Sequence, residues 1–174
     1  VKEAERRGLA NLKTTVEALP VFVSPKVVDL FTKHRVLTES EIHSRYEILL
    51  ENYCKTLHIE ALTMIDMVKK NIIPSCVKYQ NDLAELLERK SAHKEFSMAM
   101  EKRLLSKLSS LSEALMDKLD TLENSMLGAR TNGNPLAAAE YYRNTVFRDM
   151  TELRMVVDEL ETLVGKEYWG LPTY

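Results

Sequence analysis

The strongest constraint on the fold is one long helical stripe of apolar residues. Between positions 42 and 72, apolar side chains recur at steps of three and four residues, at 42, 46, 49, 53, 57, 61, 65, 68 and 72. These steps follow one face of an α-helix rather than the alternating faces of a strand. A helix of about 35 residues is roughly 50 Å long, at about 1.5 Å per residue. An element of this length indicates a helical protein.

Two later segments carry the same spacing, and few residues that break helices lie along the chain. Helices are predicted from about 95 to 127 and from about 136 to 164. The chain has only five glycines and five prolines, about half of their usual combined frequency of roughly 12%. The two stripes consist of Phe96, Met100, Leu104, Leu108, Leu111, Leu115, Leu119, Leu122 and Met126, and of Tyr142, Val146, Met150, Leu153, Val157, Leu160 and Val164. The prediction is an all-α fold, an antiparallel bundle of three to four long helices with shorter N-terminal helices.

Several local signals place the ends of these helices. The sequence "TESE" fits a capping box, in which Thr38 caps forward and Glu41 reaches back. Pro74 is expected to end or kink the first long helix, because its ring clashes with a carbonyl one turn earlier. The loop "GARTNGNP" at 128–135 combines glycine, asparagine as a cap and proline as the first helical residue. Gly165 is expected to end the last helix.

The N-terminal part is expected to hold two shorter helices. The first spans residues 2–18, is weakened at Gly8 and closes before Pro20. The second runs to about residue 35 and starts at Ser24-Pro25, where serine caps an amide and proline occupies the first helical position.

Two domains are predicted. Residues 1–37 form an N-terminal helical segment, and residues 38–174 form the long-helix bundle. The stretch "VEALPVFVSPKVVDLF" carries more apolar surface than a lone bundle covers, so it is expected to pack on another domain or subunit. The chain opens on Val1 within a helix-like sequence and closes on "YWGLPTY" without a polar tail. It is therefore expected to be a piece of a larger protein.

Charge and cysteine usage exclude several classes of protein. The net charge of −2 argues against a nucleic-acid binder. No apolar run reaches the roughly 18 to 20 residues that span a bilayer, and the sequence does not start with a secretory signal. Cys54 and Cys76 lie in helical sequence and do not suggest a disulfide framework. A cytoplasmic location, with neither nucleic acid nor membrane as a partner, is expected.

The histidines do not form a recognisable metal motif. A carboxylate-bridged metal site in a bundle needs Glu-x-x-His on two helices. The residues three positions before the four histidines are Phe31 before His34, Ser40 before His43, Lys55 before His58 and Lys90 before His93. The motif is absent at all four, so no metal ligand is assigned.

Two other catalytic patterns are incomplete in this sequence. His58 and Glu60, with Cys76, resemble part of a zinc-deaminase signature, but Tyr79 stands where its second cysteine is needed. Cys54 lies one helical turn from His58, yet a cysteine on an apolar helix face behaves as an inert hydrophobe. The sequence therefore assigns no catalytic, cofactor-binding or metal residue.

The polar residues of the segment 43–67 have a simpler structural explanation. Glu51 and Lys55 have the favourable acid-before-base spacing on a helix surface. Tyr46 and Tyr53 are expected in the core, with their hydroxyls reaching a partner or the surface.

Three segments together resemble the C-terminal region of type III glutamine synthetases. They are "NLKTTVEALP" (11–20), "HSRYEILLENYCKTLHIEALTMIDM" (43–67) and "AEYYRNTVFRDMTELRMVVDELETLVGKEYWGLPTY" (139–174). The resemblance covers nearly the whole chain and is loosest between about 80 and 135. The sequence has Gly170-Leu171 where the family would have a proline-aromatic pair.

The resemblance implies a parent enzyme that joins ammonia to glutamate with ATP and Mg²⁺ or Mn²⁺. In that family the catalytic residues lie in a preceding catalytic domain, and subunits assemble into stacked hexameric rings. None of those residues maps onto this sequence. The expected role is a non-catalytic C-terminal domain that is inactive alone, holds no cofactor and contacts the upstream catalytic domain or neighbouring subunits. Residues 1–37 would dock on that domain or on the bundle.

Two alternatives remain open from the sequence. One is a free-standing helical module for protein–protein interaction, suggested by the near-heptad spacing on the last two helices. The other is a metal-dependent bundle enzyme, which the missing motif weakens. Upstream coding sequence separates the first alternative from the glutamine synthetase domain, and metal analysis tests the second.

Overall fold

The computed structural model describes residues 2–93, 95–129 and 134–172 of the chain, and these confirm the all-α prediction. Within these ranges no residue lies in a strand, and no helix is long and apolar enough to cross a membrane. The helices are α1 (Lys2–Arg6), α2 (Thr15–Phe22), α3 (Pro25–Lys33), α4 (Glu39–Met67), a π-helical segment (Val68–Ile72), α5 (Ile73–Ser91), α6 (Ala99–Gly128), α7 (Pro135–Tyr141), a second π-helical segment (Tyr142–Val146) and α8 (Phe147–Glu161).

The chain forms two compact units. Unit 1 comprises residues 1–58 and 129–144, and unit 2 comprises residues 59–128 and 145–174. The sequence predicts a different division, between residues 37 and 38. That division stays a prediction, because it describes how residues 1–37 dock within a larger protein.

Unit 1 has a small core built from three helices. Val16 of α2, Leu50 of α4 and Ala139 of α7 are buried together. The side chains packed against them are Leu19, Tyr46, Tyr53, Cys54 and Leu136. The expectation that Tyr46 and Tyr53 face the core is confirmed.

The predicted capping box at the start of α4 is confirmed. The Glu41 amide donates to the Thr38 hydroxyl at 3.3 Å, and the Thr38 amide donates to Glu41 Oε2 at 2.7 Å. These two bonds satisfy amides that have no partner inside the helix. They also hold the pKa of the Glu41 carboxyl below its usual value, chiefly through the Thr38 amide.

The single helix expected over 2–18 is wrong. Helix α1 ends at Arg6, and Gly8 takes a positive φ of 74° that glycine adopts without strain. A new helix begins after Thr14, whose hydroxyl accepts from the Glu17 amide at 3.2 Å. Pro20 lies inside this helix rather than beyond it. The Val16 carbonyl, four residues before Pro20, therefore receives no amide hydrogen bond from position 20, because proline has no N–H.

The other N-terminal signal is confirmed in part. Helix α3 begins with Pro25 at its first position, as expected, and Ser24 is its N-cap residue. The Ser24 side chain, however, makes no capping hydrogen bond. Its backbone carbonyl instead accepts from the Val27 and Val28 amides.

In unit 2, helices α5, α6 and α8 pack side by side and run antiparallel. Rising residue numbers on one helix meet falling numbers on the next. Between α6 and the segment from residue 68 to 91, the pairs are Lys69 with Glu123, Gln80 with Ser112 and Lys90 with Glu101. Between α6 and α8, they are Ser125 with Asp149, Lys118 with Glu152 and Lys107 with Glu159. Buried leucines fill the space between the helices: Leu83, Leu108, Leu115, Leu119, Leu122, Leu153 and Leu160.

Pro74 does not interrupt the helical path; it lies in the first turn of α5, where a proline is tolerated. The π-helical segment Val68–Ile72 precedes it, and the Ile73 amide donates to the Val68 carbonyl five residues back. A wider turn of this kind makes room for a ring that cannot donate and that clashes in regular α-helix. The Ser75 hydroxyl donates to the Asn71 carbonyl at 2.7 Å. The π-helical turn before Pro74 therefore lets the helical path continue through the proline.

The apolar stripes are correct except at particular positions. On α4, Leu49 is 45% exposed and Leu50 is fully buried, so the stripe runs through 50 rather than 49. At the start of α6, Phe96 and Met100 are exposed, and Glu101 is buried instead. A step of three and a step of four fit the spacing equally well, so the pattern could not separate neighbouring apolar residues.

The last helix differs from the single span predicted over 136–164. It contains the π-helical segment Tyr142–Val146 and ends at Glu161, four residues before Gly165. Asn134 caps its start as expected, with its Oδ1 accepting from the Leu136 amide at 2.9 Å. Residues 130–133 of the loop predicted at 128–135 lie outside the described residues.

Candidate functional site

The polar side chains of the segment 43–67 make packing contacts and contacts on the helix surface, and they do not form a reactive site. His58 and Tyr142 share a hydrogen bond of 3.0 Å between the imidazole Nδ1 and the phenol oxygen, and both lie within unit 1. Lys55 donates to Glu51 at 3.0 Å, which confirms the predicted surface pair. Burial raises the pKa of the half-buried Cys54 thiol. This shift keeps the thiol protonated, which is unfavourable for a nucleophile.

The fragment of a zinc-deaminase signature is also not a site. Cys76 is buried, and burial raises the pKa of its thiol to about 11. A metal-ligating cysteine needs the thiolate, which this environment disfavours. Glu60 is exposed on α4.

The described side chains do not gather into a set of ligands for a divalent metal. Over residues 2–93, 95–129 and 134–172, no group of three or more His, Cys, Asp or Glu side chains converges as metal ligands would. Divalent ions of this type need several oxygen ligands around one point. We therefore assign no catalytic step to this chain, and the absence of catalytic and metal residues stays a prediction.

Unit 2 contains two buried acids that the sequence did not single out. Glu101, only 3% exposed, pairs with Lys90 where α5 and α6 approach each other. Asp149 is also buried and accepts from Ser125 on α6 at 2.5 Å and from Arg148 at 3.0 Å. A buried carboxylate with partners on a second helix fixes the register of the two helices. We interpret both as structural.

The most distinctive surface lies in unit 1. Over its described residues 2–49, the N-terminal part buries only Val16 and Ile42 among its hydrophobic side chains. Large apolar side chains remain exposed in the same stretch: Leu9, Leu12, Val21, Leu30, Val36, Ile48 and Leu49. Of these, Ile48 and Leu49 lie together in one groove with Phe22, and apolar side chains grouped in this way mark an interaction site more often than scattered single residues do.

Part of this surface forms an open groove of about 570 Å³, here called the unit 1 groove. It is lined by Phe22, Glu41, Ser44, Arg45, Ile48 and Leu49. Phe22 is held by an edge-on contact with Phe31, with ring centroids 5.9 Å apart. The sequence signal for this groove was the excess of apolar residues in 16–31. The sequence gives no signal that Ile48 and Leu49 line a groove, because the apolar spacing on α4 defines only one face of the helix.

The comparisons with known proteins agree with this picture of a helical part of an enzyme. Residues 1–91 match the family model described as glutamine synthetase C-terminal domain. Over the whole chain, the sequence is 41% identical to a glutamine synthetase of Butyrivibrio fibrisolvens, covering 25% of that relative. It is 32% identical to a type-3 glutamine synthetase of Dictyostelium discoideum over 98% of the chain, covering 24% of that relative. A glutamine synthetase of Bacteroides fragilis is 29% identical over 99% of the chain, which again covers 24% of the relative.

The chain thus spans about a quarter of the length of the curated relatives it matches. The resemblance to the C-terminal region of type III glutamine synthetases is confirmed. Because the family model covers more than half of its residues, the chain belongs to the glutamine synthetase C-terminal domain family.

Proposed function

We propose that this chain serves a glutamine synthetase as a non-catalytic helical domain that braces the catalytic domain or the contacts between subunits. The observation that carries the proposal is the exposed apolar surface of unit 1, which lies within the residues matched by the family model. Exposed apolar side chains grouped on one groove mark sites of contact with another domain or subunit. We take the enzyme to be a glutamine synthetase because the matched relatives carry that name.

The activity proposed for the whole protein is the ATP-dependent ligation of ammonia to glutamate. As the resemblance implies, ATP phosphorylates the γ-carboxylate of glutamate, and ammonia then displaces phosphate. Mg²⁺ or Mn²⁺ would hold the nucleotide and stabilise charge on the transferred phosphoryl group, and it would do so in the catalytic domain. No residue described in this chain is given a part in that chemistry.

We also propose that the protein works in the cytoplasm as a homo-oligomer. Cys54 and Cys76 are both free thiols, which suits a reducing compartment. Within the oligomer, the expected partners of this chain are the upstream catalytic domain and the neighbouring subunits.

Deletion of this region from the complete enzyme tests the bracing role. The enzyme is prepared with and without the residues of this chain, and its native mass and glutamine formation are measured on both. We expect the deletion to lower the native mass, the activity or both, since apolar contacts are lost. An unchanged native mass together with unchanged activity would contradict the bracing role.

A further inference from the structure

The unit 1 groove combines an apolar wall with two charged side chains, Glu41 and Arg45. Ile48 is 53% exposed and Leu49 is 45% exposed, and both line the groove next to Phe22. They lie on a helix whose other face already carries the core residues of unit 1, so they are not needed for packing there. Side chains of this size at adjacent positions on one open groove form a receptor for another apolar segment.

Arg45 adds a charge requirement to this apolar wall. Within the described ranges it forms no ion pair, although Glu41 lies near enough to interact with it electrostatically. The Oε2 atom of Glu41 is already bonded to the Thr38 amide and hydroxyl. A guanidinium on the rim of an apolar groove favours an occupant that presents a carboxylate beside its apolar side chains.

We propose that the unit 1 groove is occupied by the catalytic region of the same polypeptide, through a segment with large apolar side chains and an acidic residue that pairs with Arg45. This inference rests on the proposed function. The matched relatives are about four times as long as this chain, so most of such an enzyme lies outside it. The groove is lined by six residues, against roughly 20 to 30 residues a side in a specific interface, so the groove alone gives a weak contact between separate molecules. Covalent linkage raises the effective concentration to the millimolar range, at which a weak contact is filled.

Cysteine labelling of the full-length enzyme tests whether the groove is covered. Ile48→Cys is compared with Ile59→Cys, which is on the same helix, outside the groove and 64% exposed. Each enzyme is treated with a maleimide, and modification at the new cysteine is followed by peptide mass spectrometry. We expect position 48 to react at least tenfold more slowly than position 59. Comparable rates at the two positions would overturn the proposal.

Photo-cross-linking identifies the occupant. A benzoylphenylalanine at position 48 of the full-length enzyme is irradiated, and the products are separated on a denaturing gel and mapped. A cross-link to the catalytic region at the mass of a single polypeptide supports the proposal. A product of doubled mass would show that a second subunit fills the groove, and this would overturn the occupant named here. The readout does not depend on glutamine formation, so its failure is distinguishable from failure of the proposed function.

Discussion

The Tyr168 hydroxyl donates a hydrogen bond of 2.6 Å to the Asp82 carboxylate on α5. The Tyr168 ring also contacts the Tyr79 ring, with centroids 5.0 Å apart, and Lys78 lies over it at 5.6 Å. The next residue, Trp169, is buried. The segment after α8 is therefore fixed onto α5 by the hydrogen bond from Tyr168 to Asp82 and by the contact between the Tyr168 and Tyr79 rings.

This contact predicts a stabilising effect that is lost at alkaline pH. The hydrogen bond to Asp82, followed by burial, raises the pKa of Tyr168 to about 12. An unfolded tyrosine titrates near about 10, so the folded state holds this proton more tightly. The contribution is complete below pH about 10 and is lost as the pH rises towards about 12.

We therefore expect Tyr168→Phe to lower the melting temperature at pH 8 and the difference from wild type to shrink between pH 10 and 12. Thermal melting of wild type and Tyr168→Phe at several pH values between 8 and 12 measures this difference. Asp82→Asn is the matched control, since Tyr168 should then titrate at lower pH in an absorbance titration. A difference between wild type and Tyr168→Phe that does not change with pH would contradict the account.

Thr38→Ala should weaken the start of α4. The substitution removes the hydroxyl that accepts from the Glu41 amide, and loss of such a cap costs about 1 kcal/mol. Thr63→Ala is the control, because the Thr63 hydroxyl donates only to the Ile59 carbonyl within the same helix. Urea unfolding should show a loss at position 38 and little change, or a slight gain, at position 63. Equal losses in the free energy of unfolding for Thr38→Ala and Thr63→Ala would contradict a capping role for Thr38.

The register of α6 predicts a graded series of leucine truncations. Leu108 is fully buried, so Leu108→Ala should lower the free energy of unfolding by about 2 to 5 kcal/mol. Leu111→Ala should cost less, because Leu111 is only half-buried. Leu127→Ala, at an exposed position, should stay within about 0.5 kcal/mol of wild type. Equilibrium unfolding in urea gives the order, and a larger loss at 111 than at 108 would place the helix in another register.

Cys76 should be almost unreactive in the folded chain. Burial raises the pKa of its thiol to about 11, so at pH 8 its thiolate fraction is roughly a hundredfold or more below that of an unfolded cysteine. Labelling with a disulfide reagent, mapped by mass spectrometry, should modify Cys76 only after urea is added. Because the folded pKa is raised, the stability linked to this thiol is complete below pH about 8.5 and declines towards pH 11. Rapid native labelling at Cys76 would show that this part of unit 2 is open.

Local signals were the part of the fold that sequence reasoning located best. The Thr38–Glu41 box depends on side chains three residues apart, and the structure contains both of its bonds. Thr14 and Glu17 carry the same spacing, but the preceding residues also fitted a helix and hid the signal. The spacing predicts that a helix closes before Pro20 and that Pro74 ends or kinks the first long helix, because regular α-geometry excludes proline. At Pro74, the preceding π-helical segment relieves that conflict.

Contacts between distant segments could not be predicted from spacing alone. Periodicity gives the direction of a helix face within a step of three or four residues, which is why Leu49 was chosen over Leu50. The burial of Glu101 depends on Lys90 reaching it from another helix. The groove formed by Phe22 and Ile48 likewise joins residues that are far apart in sequence. Composition indicated that apolar surface was in excess, but only the structure located it.

The measurement that tests the central claim most directly is turnover by this chain alone. The purified chain is incubated with glutamate, ATP, Mg²⁺ or Mn²⁺, and either ammonia or hydroxylamine, with the full-length enzyme assayed in parallel. We expect the full-length enzyme to form glutamine and γ-glutamyl hydroxamate, and the chain alone to form neither at any metal or nucleotide concentration. Formation of either product by the chain alone would contradict the conclusion that it is a non-catalytic domain.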